Sequence, residues 1–193
     1  MSRFASAFAF AFAAVCCLSL AACSDSADHS DPQPRPKPKP RTALKFGQTA
    51  TVAGALKGTV QITAETIVYA EKAESSVPEH DVFAIVRYET GNRSTSSVTQ
   101  LGETAFQWKT PNGKKIQAGN TSAAQGIAPI GFSEGSRRVS PKTSQADTVA
   151  FDLTEADKGG TLVYVDGDKV TFTWKMPSAD SGSSAKALKI ALD

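Results

Sequence analysis

Val82, Ala84, Val86 and Tyr88 alternate with Phe83, Ile85 and Arg87, so one extended segment is apolar on both faces for most of its length. A strand of that kind must be covered on both sides, which makes it the centre of a layered β fold. Its neighbours agree. Thr49 to Val52, Thr59 to Ala64 and Glu65 to Glu71 read as earlier strands, with Val60 and Ile62 on one face, and Gly54 to Gly58 supplies a turn. Phe106-Gln107-Trp108-Lys109 leads through Thr110-Pro111-Asn112-Gly113-Lys114 to a partner strand at Lys115 to Gln117, the Asn-Gly pair giving the positive φ values of a tight hairpin. Thr148 to Leu153 is a further strand. Thr161 to Val165, the turn Asp166-Gly167-Asp168 and Lys169 to Lys175 form a second hairpin, with Val170, Phe172 and Trp174 on one face. Leu188, Ile190 and Leu192 alternate, which predicts an edge strand after a flexible Ser178 to Ser184. Seven or so short strands with hairpin turns and no βαβ alternation predict an all-β fold, an antiparallel sandwich.

The 193-residue chain reaches that domain through two segments of different composition. Arg3 is followed by an Ala- and Phe-rich apolar run from Phe4 to Leu20, the pattern of a secretory signal. The run is only marginally as long as the roughly 20 residues a spanning helix needs, and no basic flank follows it. Leu20-Ala21-Ala22-Cys23 resembles the bacterial lipoprotein lipobox. That resemblance implies cleavage before Cys23 and a diacylglyceryl group on its thiol, which would anchor the mature chain to a membrane. Cys16 and Cys17 leave with the leader, so Cys23 is the one cysteine of the mature chain and no disulfide, thiolate metal site or catalytic cysteine is available to it. From Cys23 to Arg41 the chain is polar. Proline at every second position from Pro32 to Pro40 holds the backbone near polyproline II, a semi-rigid spacer. Arg35, Lys37, Lys39 and Arg41 could meet lipid headgroups or wall polymer, although a soluble stalk is the simpler reading.

The organisation expected is thus a leader at 1–22, a Pro/Lys-rich linker at 23–41, a sandwich at 42–177 and a tail at 178–193. Removing Arg3 and the stalk's four basic and three acidic residues from 21 basic and 19 acidic leaves 16 of each sign. A neutral domain with no basic stripe argues against a nucleic-acid partner.

The order of Phe46-Gly47-Gln48-Thr49, Phe83-Ala84-Ile85-Val86 ending near Gly91-Asn92, the Trp108-to-Gly113 hairpin and Thr148-Val149-Ala150-Phe151-Asp152 is similar to an uncharacterised family of Gram-positive lipoproteins. That family shares an immunoglobulin-like fold with a mycobacterial immunoprotective extracellular protein. The resemblance covers Leu44 to Met176 and implies a secreted or tethered immunoglobulin-like β-sandwich with no catalytic constellation. The chain departs from it in the long passage from Ala118 to Gly135.

Residues that could carry chemistry are few. His29 lies in the stalk, and His80 beside Asp81 reads as an exposed loop histidine rather than a general base. Asp166-Gly167-Asp168 could hold calcium, but Asp-Gly is ordinary hairpin chemistry and the twelve-residue ligand loop is missing. No cofactor is expected. Asn92-Arg93-Ser94 and Asn120-Thr121-Ser122 match the glycosylation pattern by chance, and Glu71 with Glu74 and Glu155 with Asp157 read as solvated surface. Trp108 and Trp174 sit among alternating apolar residues, which favours core over a binding platform. The Ala118-to-Gly135 passage, with Ile127, Ile130 and Phe132 among small residues, is the best candidate for a partner-binding loop. The expected function is therefore that of a lipid-anchored, non-enzymatic binding module for an extracytoplasmic protein or wall polymer. The alternative is an envelope spacer whose stalk makes the contacts.

Overall fold

In the computed structural model residues 42–193 are described, so the expected leader and linker, with Cys23 and His29, lie outside them. The strands are β1 (Ala43–Lys45), β2 (Thr49–Ala53), β3 (Thr59–Ala70), β4 (Val82–Gly91), β5 (Val98–Thr99), β6 (Phe106–Lys109), β7 (Lys115–Gln117), β8 (Arg138–Val139), β9 (Ser144–Leu153), β10 (Thr161–Val165) and β11 (Thr171–Lys175). One helix, α1 (Ala185–Leu192), ends the chain. A five-stranded sheet runs β1-β11-β10-β6-β7 and a four-stranded sheet runs β2-β3-β4-β9, with β5-β8 as a small third ribbon. Every pairing is antiparallel except β1 against β11. The two larger sheets enclose one core, which makes this the expected antiparallel β-sandwich.

Side-chain parity explains how the core is filled. Ala50 and Val52 of β2 face in while Thr49 and Thr51 face solvent. In β3 the inward residues are Val60, Ile62 and Ala64, then Ile67 and Tyr69, because the register shifts between Ala64 and Thr66. The extra residue, Glu65, is a bulge that flips the alternation from even to odd positions. Two strands were expected here, at Thr59 to Ala64 and Glu65 to Glu71. They are one strand, and the change of parity is what divides it in the sequence.

Trp108 and Trp174 are both fully buried in the central cluster with Phe106, Phe151 and Phe172. Trp108 donates from Nε1 to the Asp157 carbonyl at 3.0 Å, and Trp174 to the Gln48 carbonyl at 2.7 Å. Both indoles therefore keep a hydrogen bond inside the core. Val170, expected beside Phe172 and Trp174, falls before β11 and is 36% exposed.

The double-sided reading of β4 holds. Val82, Ala84, Val86 and Tyr88 join the central cluster, whereas Phe83 and Ile85 face a second cluster on the outer side of the same sheet. Leu188 and Leu192 of α1 and Ala124 and Ile127 of the long loop cover that outer face. The tail is thus a helix, not the flexible segment and edge strand expected from Leu188, Ile190 and Leu192. Leu188 and Leu192, one helical turn apart, are buried and Ile190 is 64% exposed. Leu188→Ala is expected to cost about 2–3 kcal/mol, the low end for a buried leucine because the helix is terminal. Ile190→Ala should stay within about 0.5 kcal/mol. Urea titration of the two variants distinguishes helix from strand.

Ser178 to Ser184 is docked as well. Ser181 exchanges two 2.9 Å backbone hydrogen bonds with Ile67, and Asp180 accepts from the Tyr69 N–H at 2.8 Å. This segment satisfies the stretch of β3 beyond the end of β2. Gly182, at φ 106°, rests on the bulge itself, where a Cβ would lie 2.2 Å from the Glu65 carbonyl oxygen. Only glycine allows that approach.

Candidate functional site

Strand β9 is the outermost strand of its sheet, and an uncovered outermost strand offers unpaired N–H and C=O groups. The long loop covers it at intervals. Gly119 donates to the Ala150 carbonyl at 2.9 Å, and Asn120 grips Asp152 from both sides, accepting from its N–H at 2.8 Å and donating to its carbonyl at 2.9 Å. Further on, Glu134 donates its N–H to the Ala146 carbonyl at 3.0 Å and accepts from the Ala146 N–H at 3.1 Å. Between these grips, at Thr148, the loop stands away and a cavity of about 230 Å³ opens.

Three charged groups line that cavity: Glu103 from the one-turn helical segment before β6, Asp147 from β9 and Arg137 from the end of the loop. Asp147 accepts from the Ser133 hydroxyl and, at 2.9 Å, from the Thr148 N–H. Glycines make room for the other two. A Cβ on Gly119 would lie 2.8 Å from Glu103 Oε1, and one on Gly102 would lie 3.3 Å from Arg137 Nε. Burial, and then the nearby Asp147 charge, push the Glu103 carboxyl above its usual range. The folded protein thus holds this proton more tightly than the unfolded chain. Ionised Glu103 opposes folding once pH exceeds the ordinary value of 4.5, and that opposition vanishes at lower pH where both states are protonated. Glu103→Gln should therefore raise the melting temperature at pH 7 and leave it unchanged near pH 3.5, as read by calorimetry.

The three residues expected to bind a partner separate in the structure. Ile127 is 9% exposed and packs on the outer face of the four-stranded sheet, so it is a core residue of that layer rather than a contact surface. Phe132 is half-buried against the same layer. Ile130 is 92% exposed. It occupies the second position of a turn closed by Phe132 N–H to Pro129 C=O at 3.0 Å, with Gly131 at φ 83° in the third, the position that needs glycine in a type II turn. Of the three, only Ile130 is presented to solvent.

His80 lies in a different place. Its Nδ1 is 3.2 Å from Asp152 Oδ1, and the Asp152 side chain is wholly buried while that of His80 is 46% exposed. Asp152 also accepts from the N–H groups of Glu79 and His80, at 2.7 and 3.0 Å, and from the Thr121 hydroxyl at 2.9 Å. This carboxylate ties two loops to β9. The hydroxyl nearest to it, that of Thr121, donates to Asp152 and not to His80, so the groups are not arranged as nucleophile, base and orienting acid.

The remaining candidates are structural. Asp166 Oδ1 accepts from the N–H groups of Asp168 and Val170, and its Oδ2 from that of Ala53, which is how an aspartate closes a hairpin. Among the described residues no group of three or more His, Cys, Asp or Glu is placed to hold a metal ion. Asn92 is fully buried and bonded to Ser94, Ser96 and Val139. Asp157 accepts from the Thr154 hydroxyl, Glu155 pairs with Lys158 at 2.6 Å, and Glu71 and Glu74 are exposed. Sequence reasoning missed Glu103, Arg137, Asp147 and Thr148. The one local signal was polar Asp147-Thr148 directly before the apolar Val149-Ala150-Phe151 of β9.

No protein-family model and no curated protein sequence matches the chain. Solved structures similar to it include the yjhA protein from Bacillus subtilis, at 13% identity and TM-score 0.49, covering 68% of this chain and 98% of that one. The secreted protein MPT63 from Mycobacterium tuberculosis is similar at 13% identity and TM-score 0.49, covering 69% and 96%. An uncharacterised β-sandwich protein from Clostridium difficile is similar at 13% identity and TM-score 0.46, covering 75% and 99%. These names are those of secreted or uncharacterised proteins, and none is an enzyme's. No described helix is long and apolar enough to cross a membrane.

Proposed function

We propose that this protein is a lipid-anchored extracytoplasmic module that binds a partner through the Ala118-to-Gly135 loop without catalysing a reaction. The anchor is Cys23, within Leu20-Ala21-Ala22-Cys23, and the linker holds the sandwich away from the bilayer. The observation that carries the binding reading is the loop itself. It is gripped on both sides of the Thr148 gap, yet it lifts an isoleucine to 92% exposure on a tight turn. An apolar side chain so displayed on a fixed support suits recognition. The partner expected is a protein or wall polymer of the same compartment.

Cells fed labelled palmitate should incorporate it into the native chain and not into Cys23→Ser. For the binding reading, a photo-crosslinking amino acid is placed at Ile130 in the native lipoprotein, with Leu56, 87% exposed on the β2–β3 turn, as the control position. One specific product from Ile130 and none from Leu56 supports the reading. Equal scatter from both positions, or enrichment on the linker alone, overturns it in favour of the envelope spacer.

A further inference from the structure

The cavity beside the loop has a charge pattern that points to a ligand of its own, beyond the partner proposed for Ile130. Glu103, Asp147 and Arg137 line one space of about 230 Å³. None of them makes an ion pair among the described residues. Thr148 lines the same space.

The shape and chemistry narrow the choice. The space lies below the roughly 300–1,000 Å³ of sites for drug-sized ligands, a size that suits a small molecule. Two carboxylates opposed by an arginine offer a divalent cation less negative charge and fewer oxygen ligands than calcium sites supply. Opposite charges in one small space, unpaired with each other, match a molecule that carries both signs.

We propose that this cavity binds a small zwitterion of the α-amino acid type. Its ammonium lies between the Glu103 and Asp147 carboxylates, and its carboxylate meets the Arg137 guanidinium, a bidentate match for that group.

The test is titration of the secreted Cys23→Ser chain with L-alanine, L-leucine and L-glutamine, followed by amide NMR shifts. Methylammonium chloride and sodium acetate, each carrying half of the charge pattern, serve as comparison probes. At least one amino acid is expected to shift the Gly102, Gly126 and Thr148 amides and to bind roughly tenfold or more tightly than either half-probe. Glu103→Gln with Asp147→Asn should weaken it by roughly tenfold or more, and Arg137→Gln should weaken the amino acid while leaving methylammonium unchanged. Retained amide dispersion shows that the variants fold. No binding of any of the three amino acids to the unsubstituted cavity overturns the proposal, as does binding no tighter than that of a half-probe. The Ile130 crosslink is read independently, so an empty cavity with an intact crosslink removes the zwitterion and keeps the partner.

Discussion

Asp152→Ala is expected to cost about 3–5 kcal/mol, read as a lower urea midpoint at unchanged slope. The wholly buried Asp152 carboxylate accepts from Glu79 N–H, His80 N–H and the Thr121 hydroxyl, and His80 Nδ1 lies against it. Removing it strands these donors together, and each buried one left unpaired costs about 1–3 kcal/mol. Both the chain before β4 and the start of the long loop should then exchange their amide hydrogens faster. His80→Ala, by contrast, should cost less than about 1 kcal/mol, because that imidazole is half in solvent. A large loss from His80→Ala with a small one from Asp152→Ala would mean that the histidine, not the carboxylate, holds the loops.

Trp108→Ala should cost a similar about 3–5 kcal/mol. The indole is fully buried, its centroid is 5.6 Å from that of Phe151, and its Nε1 satisfies the Asp157 carbonyl. Gly160 lies directly against it, where a Cβ would be 2.5 Å from Nε1, so the pocket around the ring is filled and cannot collapse cheaply. Trp108→Phe keeps an aromatic ring but orphans the Asp157 carbonyl, and about 1–3 kcal/mol is the expected loss. Equal stability of Trp108→Ala and the parent protein would place the indole outside the core.

The strands that the sequence discloses are those whose alternation is uninterrupted. Val82 to Tyr88 reads as a central strand and is one, since both of its faces are apolar and both are covered. The two hairpins follow from Asn112-Gly113, where Gly113 alone takes a positive φ of 92°, and from Asp166-Gly167, where Asp166 accepts the Asp168 and Val170 N–H groups and the positive φ falls on Lys169, at 65°. Glu65 hides the continuity of β3 because a bulge reverses parity without a turn residue to announce it. Leu188 and Leu192 fit both periods, Ile190 only that of a strand, and the outer face built by Val68, Phe83 and Ile85 decides in favour of the helix. β1 was missed: three residues paired in parallel with a strand at the far end of the chain leave no local signature. The cavity was illegible for the same reason. Glu103, Arg137 and Asp147 come from three separate segments, and only the path of the loop along β9 brings them to one space.

That path also decides where the chain can change. The loop is fixed by Gly119 and Asn120 on one side and by Glu134 on the other, while Ile130 and Gly131 lie at a turn with nothing beyond them. Lengthening a loop costs only about 0.6 kcal/mol for each doubling. Foreign residues inserted between Ile130 and Gly131 would leave the strand edge sealed and the outer layer packed. The tip is thus a permissive display point, at which new specificities can be grafted or drift in without any adjustment of the sandwich that carries them.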